Sequence, residues 1–270
     1  MFNSPSCGSG TGFKTMNTNP LTLEAHNISK SFGNIQAIRD ISLTLARGEM
    51  LGILGDNGAG KSTLMKILTG YHQQTSGELL VNGTKVMLSS VDHARSFGIE
   101  CVYQDLAMIN TLSVYHNMFL NREILRRGPL PLLDHRAMRK KAEAALEDIG
   151  VNIPSVDVEV GALSGGQRQA VAIARAVASQ AKILLLDEPL AAMGAREAAL
   201  IIALIERLKA RGDVSMIMIA HNYAQTLDVA DRVMMIQRGT CTFEGRSAET
   251  SAAELFDIVR REYQANRVQG

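Results

Sequence analysis

Residues Gly55, Asp56, Asn57, Gly58, Ala59, Gly60, Lys61 and Ser62, followed by Thr63, fit the pattern G-x-x-x-x-G-K-S. Backbone N–H groups of such a loop wrap phosphate, and its glycines permit approaches that a Cβ would block. The chemistry implied is nucleotide binding, with Lys61 reaching the β- and γ-phosphates and the Ser62 hydroxyl on Mg²⁺. A second constellation is Ile183-Leu184-Leu185-Leu186-Asp187-Glu188, an apolar run that ends in two carboxylates. Alone it reads as an ordinary strand end. Beside a phosphate loop it reads as a metal-and-water site, because ligands of open α/β sheets bind at the C-terminal rim of the strands. Asp187 is suited to hold the Mg²⁺ through water, and Glu188 to polarise a water for in-line attack on the γ-phosphate. A third stretch, Leu163-Ser164-Gly165-Gly166-Gln167, stands directly before a helix expected to start at Gln167. Free N–H groups and a hydroxyl suit an anion there, although a plain N-cap with a flexible approach would look the same. One phosphate loop plus a second phosphate-ready helix start suggests that two copies complete each other's sites.

These side chains need elements to hold them. Met50–Leu54 is expected as a short buried strand feeding the loop, and residues 62–68 as the helix whose N-terminus faces the phosphate. Upstream, residues 21–31 and 35–45 read as strands; Ile41, Leu43 and Leu45 alternate with Ser42 and Thr44, the period of a half-buried strand. Residues 77–83 form a strand ending on an Asn82-Gly83 hairpin signal, and residues 99–103 a short strand that Gln104 ends. From Asp105 to about Val160 the pattern turns to helices and loops, with Asp134 capping a helix through Ile149 and Gly150 stopping it. Further on come a helix over 167–179, the strand Ile183–Asp187, and an amphipathic helix over 196–211 with Leu200, Leu204 and Leu208 in a row. A buried strand over 214–220 then ends at His221. A hairpin turning at Arg238-Gly239 and a short helix carrying Leu255, Ile258 and Val259 close the chain.

At 270 residues the chain can build one large α/β domain, or a core with a subdomain. Its 46% hydrophobic and 20% charged residues are those of a globular protein rather than a disordered one, and a net charge of +1 argues against nucleic acid as a partner. Cys7, Cys101 and Cys241 are too few and scattered for a disulfide framework or a zinc site. No apolar run approaches the roughly 18 residues needed to span a bilayer, so a soluble protein is expected. Residues 1–20 are rich in Ser, Gly, Thr and Asn without an apolar segment, and read as a disordered leader or a cloning remnant, not a secretory signal. The folded domain is expected over 21–270.

Taken in order, Gly55 to Ser62, Tyr103-Gln104, Leu163 to Gln167, Leu184 to Glu188 and His221 resemble an ATP-binding cassette (ABC) transporter ATPase subunit. The likeness runs from about Leu21 onward. It implies an α/β fold with a P-loop NTPase core of mixed sheet, an N-terminal antiparallel β-subdomain and an inserted α-helical subdomain at about 105–180. It also implies ATP and Mg²⁺, and a head-to-tail homodimer in which Ser164, Gly165, Gly166 and Gln167 of one copy meet the γ-phosphate held by the other. By position in the family pattern, Phe32 stacks on adenine, where tyrosine is more usual; a phenylalanine of the core is the alternative. Gln104 touches metal and water and relays nucleotide state, and His221 contacts the γ-phosphate. After Glu188-Pro189 the chain reads Leu190-Ala191-Ala192-Met193-Gly194, so the aspartate that usually crosses the dimer interface is missing and communication between the two sites is in doubt. That ending, Asn117 to Glu123 and Gly55-Asp56-Asn57 are similar to the carbohydrate-importer branch, which implies monosaccharide import. Partners would be integral membrane permease subunits, with a periplasmic substrate-binding protein acting indirectly. The protein would sit peripherally on the cytoplasmic side of the inner membrane. A soluble ATPase of translation or DNA repair is the competing expectation; such relatives usually carry paired cassettes, basic linkers or zinc-binding inserts, which this chain lacks. The third, a small-molecule kinase, is opposed by Leu163 to Gln167 and by His221.

Overall fold

A computed structural model describes residues 20–128 and 130–267. The leader expected over residues 1–20 lies outside them except for Pro20, as does Cys7. The strands are β1 (Leu21–Phe32), β2 (Ile35–Ala46), β3 (Met50–Leu54), β4 (Ser76–Val81), β5 (Thr84–Val86), β6 (Ile99–Val102), β7 (Ile183–Asp187), β8 (Ser215–Ala220), β9 (Arg232–Gln237) and β10 (Thr240–Arg246). The helices are α1 (Lys61–Leu68), α2 (Val91–Ser96), α3 (Val114–Met118), α4 (His135–Asp148), α5 (Gly165–Ala178), α6 (Ala195–Arg211), α7 (Tyr223–Val229) and α8 (Ala252–Arg267).

Two sheets result. An antiparallel one runs β2-β1-β4-β5, and a mixed one runs β10-β9-β3-β8-β7-β6. In the mixed sheet β6, β7, β8, β3 and β9 are parallel, and β10 returns antiparallel beside β9. The central strands are apolar at nearly every position because both sheet faces are covered. Their side chains alternate between two cores with a period of two. Met50, Leu54, Leu184, Leu186, Met216 and Met218 point into the core shared with α3 to α8. Leu51, Ile53, Ile183, Leu185, Ile217 and Ile219 point into the core shared with α1 and the antiparallel sheet.

The expected elements hold with shifts at their ends. Helix α1 begins at Lys61 and α5 at Gly165, so Gly165 and Gly166 lie in the first turn rather than before it. Strand β6 ends at Val102, one residue early. Asp134 caps α4 as expected, its carboxylate accepting from the Ala137 N–H at 3.0 Å. The apolar row expected on α6 is corrected: Leu200 is 58% exposed. Ala198, Ile201, Leu204, Ile205 and Leu208 form the buried face, a stripe stepping by three and four residues. Among the described residues no helix is long and apolar enough to cross a membrane.

Candidate functional site

Strand β3, buried along its whole length, delivers the chain to Gly55. There φ is 148°, and a Cβ would stand 2.1 Å from the Ile236 carbonyl oxygen of β9. Only glycine fits between the two strands at that point. The loop then closes on itself through Lys61, the first residue of α1, whose Nζ donates to the carbonyls of Gly55 at 2.6 Å and Asp56 at 2.9 Å. Burial pulls the Lys61 ammonium below its ordinary pKa, while the carboxylates of Glu188, Asp56 and Asp187 push it back up.

Strand β7 brings the carboxylates. Asp187 is its last residue, and burial, together with the neighbouring Glu188, lifts the Asp187 carboxyl above the usual range. Glu188 follows at φ 49°, its N–H donating to the Ile219 carbonyl at 2.9 Å. Its Oε2 lies 3.6 Å from Nδ1 of His221, which follows the end of β8. A cleft of about 460 Å³ joins Glu188 to Asn57, Gly58, Ala59, Gly60, Lys61, Ser62 and Thr63, with Ile35, Gln36, Ala37 and Arg238 on its walls. The loop and the strand-end carboxylate therefore face one space, where backbone N–H groups, a cation, hydroxyls and a base can act on a phosphate.

Other expected residues stand apart from that cleft. Phe32 ends β1 at 43% exposure, with Lys30 Nζ 5.0 Å from its ring centroid and the His72 ring edge-on at 5.1 Å. Gln104 is exposed in the loop after β6. Ser164 caps α5: its hydroxyl accepts from the Gln167 N–H at 3.2 Å, and the Gln167 side chain accepts from the Ser164 N–H at 3.1 Å.

Sequence reasoning missed Glu197 and Arg238. The Gly166 N–H donates to Glu197 Oε1 at 3.2 Å, and that bond, then one from the Ser164 hydroxyl, holds the Glu197 carboxyl below the usual range. The start of α5 thus binds a carboxylate from α6. An acidic residue in the first turn of α6 was visible in the sequence; its partner 31 positions away was not. For Arg238, the visible signal was only a turn.

The ABC transporter family matches residues 38–191. The chain is 42% identical, over 88% of its own length and 93% of the relative's, to the xylose/arabinose import ATP-binding protein XylG of Sulfolobus acidocaldarius. It is 40% identical over 84% of its length to the ribose import ATP-binding protein RbsA of Chromobacterium violaceum, of which it spans 45%. Among solved structures, the dimeric structure of MJ0796, a bacterial ABC transporter cassette, aligns with a TM-score of 0.70 and 25% identity, covering 83% of this chain and 98% of that one.

Proposed function

Since this chain belongs to the ABC transporter family, and is an ATPase of its cassette type, we propose that it powers a monosaccharide importer. Two copies would work together beneath integral membrane permease subunits, peripheral to the cytoplasmic face of the membrane. The observation that carries this reading is the cleft in which Lys61, Ser62 and Glu188 meet, in a chain alike along 88% of its length to a sugar import ATP-binding protein. The competing expectation of a translation or repair ATPase falls, because the relatives are import proteins.

In this reading the loop from Gly55 to Thr63 cradles the triphosphate of ATP and Lys61 neutralises part of its charge. Phe32 offers an exposed ring face for adenine. The Ser62 hydroxyl and the Asp187 carboxylate are hard oxygen donors of the kind Mg²⁺ takes beside phosphate, and the Gln104 amide oxygen would join them only if its loop, which stands apart from the cleft here, moved toward the nucleotide. Bound there, Mg²⁺ would neutralise part of the phosphate charge. Glu188 orients a water and takes its proton, and His221, 3.6 Å from that carboxylate, holds the γ-phosphate end in place. The residues from Ser164 to Gln167 line no part of this cleft in their own chain, and the Gly166 N–H at their helix start already donates to a carboxylate oxygen, that of Glu197. A second copy would bring them to the γ-phosphate. A periplasmic binding protein would deliver the sugar, and the permease would select it.

The experiment is co-expression with a candidate sugar-importer permease, followed by co-sedimentation with membranes and assay of ATPase against added sugars. Stimulation by one monosaccharide, with its binding protein present, is expected. Leu106, Met108, Ile109, Leu112 and Phe119 form the segment proposed to receive a permease helix, with Ile109 42% exposed. Met108→Glu should therefore release the protein from membranes while the free subunit keeps its ATPase. Hydrolysis without any membrane partner or sugar response would defeat the importer reading.

A further inference from the structure

Arg238 stands in a position that its residue type does not favour. Strands β9 and β10 are joined by the two residues Arg238 and Gly239, with Gln237 paired to Thr240 across the turn. Both turn residues have positive φ, 47° and 79°, the pattern of a type I′ hairpin. The first place in that turn favours Asn, Asp or Gly, since a longer side chain in the left-handed region is strained. The strain is held by a turn fixed on two sides. The Gly239 N–H donates to the Ala59 carbonyl of the phosphate loop at 2.8 Å, and its carbonyl accepts from the Arg39 N–H of β2 at 2.7 Å. A Cβ on Gly239 would stand 2.6 Å from the Ala37 carbonyl, so the turn cannot slide away from either wall.

The outcome is an arginine on the wall of the cleft that also holds Lys61, Ser62, Thr63 and Glu188. Among the described residues the Arg238 side chain has no ion-pair or hydrogen-bond partner. Other arginines differ: Arg139 pairs with Asp157, Arg211 with Asp148 and Asp213, and Arg232 with Glu49. A strained, solvent-facing guanidinium beside a phosphate loop suits the planar, two-pronged recognition of phosphate oxygens.

We propose that Arg238 is a nucleotide-binding residue, its guanidinium bonding phosphate oxygens of ATP from the β9–β10 turn in the cleft that Glu188 also lines. This rests on the reading of the cleft as the ATP site. Binding of adenylyl imidodiphosphate with Mg²⁺, measured by calorimetry, tests it. Losing one charge-assisted contact should weaken binding about tenfold in Arg238→Asn. The melting temperature should stay level or rise, because asparagine suits the turn. Arg238→Lys should recover only part of the affinity, since an ammonium keeps the charge but not the two-pronged contact, and added salt should weaken the unsubstituted protein more than Arg238→Asn. Should Arg238→Asn melt early, Arg238→Gly replaces it, since glycine meets the same φ without strain. A neutral variant that folds and binds as tightly as the unsubstituted protein overturns the proposal. Lys61→Ala, measured alongside, isolates the premise: unchanged binding in that variant would instead overturn the ATP site itself.

Discussion

Lys61 holds its ammonium where burial works against the charge and three carboxylates work for it, with Glu188 the strongest of them. That balance keeps a cation at the floor of the cleft, bonded to two loop carbonyls at 2.6 and 2.9 Å. Glu188 sits on the wall at a positive φ, backed by His221. Glu188→Gln should keep nucleotide binding and lose on the order of 10² or more in turnover, as removal of a base does. Single-turnover hydrolysis beside a binding titration separates the two effects, and normal hydrolysis would take Glu188 out of that role. The residues from Gly55 to Ser62 and the pair Asp187-Glu188 were legible because their chemistry is written locally, in one loop and one strand end. Ile35, Gln36, Ala37 and Arg238 were not, because they reach the cleft only through the pairing of β1 with β2 and of β9 with β10.

At the level of elements, strands spoke more clearly than short helices. An apolar run such as Ile183–Asp187 can only be a buried strand at that length, and its alternation into two cores follows from the pleat. Helices α2, α3 and α7, of six, five and seven residues, carry too few turns for a periodic signal; Ser90 and Asn222 cap α2 and α7, and α3 relies on the packing of its buried residues. Leu200 misled for a related reason: steps of four from Leu200 to Leu208 follow a face that drifts off the true buried stripe. The contact between α6 and α5 gives a pH prediction. The folded pKa of Glu197 is depressed by the Gly166 N–H first and the Ser164 hydroxyl next. Its stabilisation is therefore complete above the ordinary glutamate pKa and is lost as pH falls through the lower folded value. Glu197→Gln should melt earlier than the unsubstituted protein at neutral pH, with the gap closing on acidification. A gap that does not change with pH would assign the contact to packing alone.

Across the whole molecule, the two faces of the mixed sheet divide the labour. One core joins it to α1 and the antiparallel sheet and fixes the phosphate loop; the other joins it to the helices that carry Ser164 to Gln167. The second group stands outside the cleft of its own chain, so each molecule holds one half with the phosphate loop and one half with Ser164 to Gln167. If ATP joins the halves of two copies, association must depend on nucleotide, because the ligand favours the paired state by its difference in affinity. Light scattering after size exclusion of Glu188→Gln tests this most directly. A dimer is expected with MgATP and a monomer with MgADP; the same mass in both nucleotides would rule out a dimer joined by ATP.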